Sequence, residues 1–98
     1  MIHRIVKMKF KPEFSDEFSN FIPSMVDKIA SFKGCSKVEI LRDIKDKNLF
    51  FTCSYWNSES DLENYRYSEL FKDVWAKTKE MFAEKAQAWS TTVVTKAK

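Results

Sequence analysis

The segment Leu49–Trp56, LFFTCSYW, is the strongest strand candidate in the chain, because it is dense in aromatic and β-branched residues. Such a composition is typical of a β-strand, in which alternate side chains point to opposite faces. A sheet with water on one side carries a polar set on that side. Here both alternate sets are largely apolar: Leu49, Phe51, Cys53 and Tyr55 form one, and Phe50, Thr52, Ser54 and Trp56 form the other. The stretch therefore predicts a sheet that is covered on both faces.

Three other segments also have the features of strands. Residues 2–10 alternate with period two, so that Arg4, Val6 and Met8 share one face, whereas His3 and Ile5 lie on the other. Residues 36–43 predict a second strand, which a polar turn at 44–48 joins to LFFTCSYW. Residues 88–95 predict a last strand, with Trp89 and Val93 on one face.

The segments between the predicted strands have the periodicity of helices. Apolar residues recur every three or four positions from Phe14 to Phe32, with Ser15 as the expected N-cap. Pro23 should kink or break this helix, because proline lacks a backbone donor. Gly34, the only glycine, follows the last apolar helical position, where a left-handed residue is expected.

The second half predicts a short helix and then a longer one. Asn57 and Ser58 open the first, and Ser68 caps the second, which spans residues 68–82. The apolar stripe of the second helix consists of Leu70, Phe71, Val74, Trp75, Thr78, Met81 and Phe82.

The order strand, helix, strand, strand, helices, strand predicts an α+β, ferredoxin-like domain. Such a domain has a four-stranded antiparallel sheet with its helices on one face. Since helices cover one face only, a second copy of the chain is the simplest cover for the other. We therefore expect a homodimer built sheet against sheet.

Composition limits the alternatives. The 98 residues, 44% of them hydrophobic, suffice for a single domain over residues 1–98. The net charge of +3 is spread along the chain without a basic block, so no nucleic-acid partner is expected. No stretch approaches the ~20 apolar residues of a membrane span.

The N-terminus has no apolar run of signal-peptide length, which indicates the cytoplasm. There, two reduced thiols are favoured at Cys35 and Cys53, although their spacing permits a disulfide.

The usual signals of catalysis are missing. One histidine and one glycine provide neither a histidine-based metal site nor a phosphate loop, so no metal and no cofactor are expected. No catalytic residue can be assigned.

The 15% aromatic content, concentrated in the second half, instead favours an apolar small-molecule pocket. Arg4 shares a strand face with apolar residues, and a buried arginine needs an anionic partner or ligand, unless its side chain reaches water at the end of the strand. The pocket candidates are Arg4, Tyr55, Trp56, Tyr65, Phe71, Trp75 and Trp89.

The chain resembles the antibiotic biosynthesis monooxygenase domain family of the dimeric α+β barrel superfamily. The resemblance rests on VKMKFKPE before an amphipathic helix, on FKGC before strand two, and on SYWNSESDLENY and SELFKDVW. It implies a ferredoxin-like protomer whose sheet joins that of a second copy in a barrel.

The family resemblance implies several activities. Some members oxygenate polyphenols or quinols with dioxygen and no cofactor. Others cleave haem with an asparagine and a histidine, and this chain has Val6 and Trp75 at those positions. The leading expectation is therefore a cofactor-independent monooxygenase, an oxidoreductase acting on an aromatic or quinol-like molecule. The alternative is a non-catalytic dimeric domain that binds a small molecule, as in a stress response.

Overall fold

The computed structural model describes residues 1–98 and confirms the predicted order of elements. The strands are β1 Ile2–Lys9, β2 Cys35–Arg42, β3 Leu49–Trp56 and β4 Gln87–Thr91. The helices are α1 Ser15–Phe21, α2 Pro23–Ala30, α3 Glu59–Arg66 and α4 Glu69–Lys79. The last strand is shorter than the predicted 88–95, and Val93 lies beyond it in an exposed position.

The four strands form one antiparallel sheet in the order β2-β3-β1-β4. Val6 in the central strand β1 lies opposite Thr52 of β3 on one side and Ala88 of β4 on the other. Together with the helix order, this is the ferredoxin-like α+β fold that the sequence predicts.

The helix ends follow from local chemistry, with one exception. Pro23 breaks the first helical segment, so that α1 ends at Phe21 and α2 begins at the proline itself. The hydroxyls of Ser58 and Ser68 accept hydrogen bonds from backbone N–H groups of α3 and α4, as expected of N-caps. The expected N-cap at Ser15 is wrong. A 3-10 turn at Pro12–Phe14 leads directly into α1, and the buried Ser15 hydroxyl donates to the carbonyl of Pro12.

Gly34 joins α2 to the sheet with a backbone conformation that other residues rarely adopt. Its φ angle is +86°, as the sequence predicts. A Cβ atom at this position would also collide with the side chain of Asp61 near the start of α3. Glycine is therefore required both by the left-handed backbone and by the close approach of α3.

The helices cover one face of the sheet and enclose two groups of buried side chains. The first consists of Met8, Phe10, Phe18, Ile22, Phe50 and Met81. The second consists of Ile29, Trp56, Leu62 and Tyr65. We call the opposite face, which carries His3, Ile5, Leu41, Phe51, Cys53, Tyr55 and Trp89, the outer sheet face. Leu41 and Trp89 are 46% and 45% exposed there, so this face presents apolar side chains that no element of the chain covers.

Candidate functional site

A cavity of about 300 Å³ lies between the helices and the sheet, beside both groups of buried side chains. This volume is at the lower end of the range for small-molecule sites. Of the nineteen lining residues, fourteen are hydrophobic. The wall consists of Arg4, Val6, Met8, Phe18, Ile22, Ile29, Val38, Ile40, Thr52, Ser54, Leu62, Tyr65, Arg66, Phe71, Val74, Trp75, Thr78, Ala86 and Ala88.

The cavity exists because the side chains of β3 that face the helices are large at the two ends of the strand and small in the middle. Phe50 and Trp56 fill the two ends of this side, and each belongs to one of the two buried groups. Between them stand Thr52 and Ser54, whose small side chains leave the centre of the sheet unfilled. Ala88 on β4 is also small, and it is exposed, so the cavity opens to solvent beside β4.

Trp56 supports this wall from behind and does not line the cavity. It is fully buried, and its indole Nε1 donates a hydrogen bond of 2.9 Å to the hydroxyl of Ser54. Its ring also stacks on Tyr65 with a centroid distance of 5.0 Å. The small floor residue Ser54 and the aromatic wall residue Tyr65 are thereby both held in place by Trp56.

Trp75 lines the cavity from α4, so the bulkiest residue of the α4 stripe is part of the wall. Its ring is stacked on Phe71 at 5.8 Å and meets Phe82 edge to face at 5.5 Å. Aromatic pairs in these arrangements favour a fixed ring orientation. Phe71 and Trp75 therefore form a fixed aromatic part of the cavity wall.

Few polar groups reach the cavity. Burial raises the pKa of the Tyr65 hydroxyl to about 12, with a smaller contribution from Cys35. At neutral pH Tyr65 is therefore a neutral hydrogen-bond donor and not a base. Arg4 is half-buried, and its Nη1 donates a hydrogen bond of 2.9 Å to the hydroxyl of Ser90 on β4.

The structure brings four of the seven sequence candidates together at this cavity: Arg4, Tyr65, Phe71 and Trp75. Trp56 lies behind the wall. Tyr55 and Trp89 lie on the outer sheet face, where Tyr55 stacks on His3 with a centroid distance of 4.1 Å. These two residues therefore do not line the cavity of their own chain.

Sequence reasoning missed Arg66, Thr52 and Ser54 as cavity residues. Thr52 and Ser54 carried a detectable signal, since two small polar residues between Phe50 and Trp56 on one strand face leave a gap in a core. Arg66 carried none, because a charged residue in the last turn of a helix is ordinarily solvated.

No group of histidine, cysteine and acidic residues in the chain has the arrangement of a metal site. Cys35 packs beside the second buried group on the helix side, whereas Cys53 points to the outer sheet face. Both thiols are free. Since they lie on opposite faces of the sheet, a disulfide between them within one chain is excluded by geometry.

Comparison with known families supports a relationship over most of the chain. The family described as antibiotic biosynthesis monooxygenase matches residues 1–77, which include β1 to β3, α1 to α3 and most of α4. The chain belongs to the antibiotic biosynthesis monooxygenase family. Arg4, Tyr65, Arg66, Phe71 and Trp75 fall within the matched region, whereas β4 and the cavity opening beside it lie outside.

Solved structures of similar fold agree with this membership. A crystal structure named as an antibiotic biosynthesis monooxygenase is 19% identical, with a TM-score of 0.89 over 97% of this chain and 100% of that one. A conserved protein from Methanosarcina mazei Go1 is 20% identical, with a TM-score of 0.86 over 92% and 89% of the two chains. A Mycobacterium tuberculosis protein is 12% identical, with a TM-score of 0.87 over 99% and 98%. These likenesses show the fold. Among curated proteins none matches the chain.

Proposed function

We propose that this member of the antibiotic biosynthesis monooxygenase family is a cofactor-independent monooxygenase that acts on an aromatic or quinol-like small molecule. The observation that carries the proposal is the cavity, which is largely apolar, is walled by Phe71 and Trp75, and opens to solvent beside β4. Its aromatic and largely apolar wall suits an apolar ring system. Family membership supplies the reaction class.

The proposed chemistry balances without a further reactant. A hydroquinone and dioxygen give a hydroxyquinone and water: one oxygen atom forms a new carbon–oxygen bond, the other leaves as water, and the substrate supplies all four electrons. The protein's part is to bind, orient and desolvate the ring. Since Tyr65 is protonated at neutral pH and His3 lies on the outer sheet face, we assign the loss of the phenol proton to solvent at the cavity opening.

Haem degradation fits these residues poorly. Val6 and Trp75, which occupy the positions implied for the asparagine and histidine of haem-cleaving relatives, both line the cavity. An indole N–H is a donor only and cannot ligate iron as an imidazole does. The one histidine of the chain is stacked on Tyr55, on the other side of the sheet. We therefore derive no reaction through haem.

The second candidate is a non-catalytic domain that binds an apolar metabolite. The observation that favours it is the absence of a general base among the cavity-lining residues, since they include no histidine, aspartate, glutamate or lysine. In both cases we propose that the unit is a cytoplasmic homodimer. Its outer sheet faces would pack together and cover Leu41 and Trp89.

Oxygen uptake with a panel of naphtho- and benzohydroquinones, with and without a carboxylate, tests the reaction. Mass spectrometry after reaction in ¹⁸O₂ should find one labelled oxygen atom in the quinone product. Ala88→Trp should block the cavity opening and abolish uptake above the rate without protein. Ala76→Trp is a matched control, because Ala76 is exposed on α4 but does not line the cavity. Binding of a panel member without label in any product would favour the non-catalytic candidate.

A further inference from the structure

Two arginine side chains from different elements line the same cavity. Arg4 comes from β1, and Arg66 is the last residue of α3. Arg4 is oriented by its hydrogen bond to Ser90. Arg66 is oriented by an ion pair, in which its Nη1 donates to a Glu63 carboxylate oxygen at 2.9 Å. Each guanidinium group therefore has one side-chain partner and keeps further N–H donors for a ligand.

The local charges do not balance. Glu63 is the carboxylate paired with Arg66, and no acidic residue lines the cavity. Burial lowers the pKa of the Arg4 guanidinium, the charge of Arg66 lowers it further, and Glu63 offsets part of this effect. Because guanidinium groups stay charged at neutral pH, two cations and one anion leave a single excess positive charge beside an apolar space.

We propose that Arg4 and Arg66 form an anion-binding subsite and that the cavity ligand is an aromatic carboxylate. Its ring system would lie against Phe71 and Trp75, and its carboxylate would accept hydrogen bonds from the two guanidinium groups. A monoanion neutralises the one excess charge. This proposal rests on the proposed function, because it uses the same cavity as the substrate site and narrows the substrate class.

The test compares two redox-inert probes of nearly the same shape, 2-naphthoate and 2-naphthamide, by calorimetric titration of the full chain. Hydrogen bonds to charged groups predict that the wild-type protein binds the carboxylate about tenfold more tightly than the amide. Arg66→Gln should reduce this preference to less than threefold, because the carboxylate loses more affinity than the amide when a charged donor is removed. The Arg66 side chain is 43% exposed, so this variant should keep the fold.

Lys72→Gln is the matched control. Lys72 also pairs with a glutamate three residues earlier, at 3.7 Å from Glu69, but it does not line the cavity. The control should retain the full preference for the carboxylate. Equal affinity of the wild-type protein for the two probes would overturn the inference, as would an equal loss of preference in Lys72→Gln. Binding of neither probe would overturn it too, whereas the proposed function is judged separately by oxygen uptake across the hydroquinone panel.

Discussion

Replacing Ser54 with alanine will destabilise the protein through Trp56. The Trp56 side chain is 0% exposed, Ser54 is 8% exposed, and the hydroxyl of Ser54 accepts the indole N–H at 2.9 Å. The substitution leaves a buried donor without a partner, which costs about 1–3 kcal/mol. For a domain of this size, each 1 kcal/mol lowers Tm by about 4–8 °C. We therefore expect Tm to fall by at least ~4 °C in thermal unfolding followed by circular dichroism.

A double-mutant cycle isolates this hydrogen bond from the loss of the hydroxyl itself. Trp56→Phe removes the donor, so adding Ser54→Ala to it should cost less than in the wild-type protein. The difference, a coupling free energy of about 1 kcal/mol, can be measured by urea unfolding. Thr52→Val is the matched control, since Thr52 is on the same face of β3 and also lines the cavity. Equal Tm shifts for Ser54→Ala and Thr52→Val, or a cycle without coupling, would show that this hydrogen bond does not stabilise the fold.

Three further predictions concern the fold, the cavity wall and the outer sheet face. Gly34→Ala should lower the free energy of unfolding by at least about 1 kcal/mol, because it strains a backbone at φ +86° and displaces Asp61; wild-type stability in urea would contradict this. The raised pKa of Tyr65 stabilises the fold below pH 10, and the contribution, about 2–3 kcal/mol, should be lost as the pH rises towards 12. Tyr65→Phe should lose less stability than wild type over that interval, and identical pH profiles would exclude the effect. Light scattering of the wild-type protein at micromolar concentration should give twice the chain mass of 11.6 kDa. Trp89→Glu places a charge in the proposed dimer contact, so this variant should give the mass of one chain. A monomeric wild-type protein would exclude the dimer.

The elements of the fold could be predicted because periodicity depends on local sequence. Period two in β1 and the spacing of apolar residues around Pro23 indicate the strand and the broken helix without any knowledge of the tertiary structure. Ser15 shows the limit of this reasoning. Its residue type suits an N-cap, but a turn starting at Pro12 supplies a different entry to α1, so Ser15 became the first helical residue instead.

The candidate site could be predicted only in part. Alternation shows which side chains share a face of the sheet, but only the tertiary structure shows which of the two faces the helices cover. Tyr55 and Trp89 are aromatic residues of the kind that line pockets. Their positions in the strands nevertheless direct them to the outer sheet face. Arg66 was missed for the opposite reason. A charged residue at a helix end is expected in solvent, and only the packing of α3 on the sheet brings Arg66 to the cavity that Arg4 also lines.

The three tryptophans occupy three different environments, and this gives the molecule a set of internal optical reporters. Trp56 is shielded from water, Trp75 lines the cavity, and Trp89 is 45% exposed on the outer sheet face. Variants that keep one indole and replace the other two with phenylalanine would separate their fluorescence. The emission of Trp56 would then follow unfolding, that of Trp75 would follow ligand entry, and that of Trp89 would follow association of two chains. Three single-tryptophan variants could thus report separately on folding, binding and assembly.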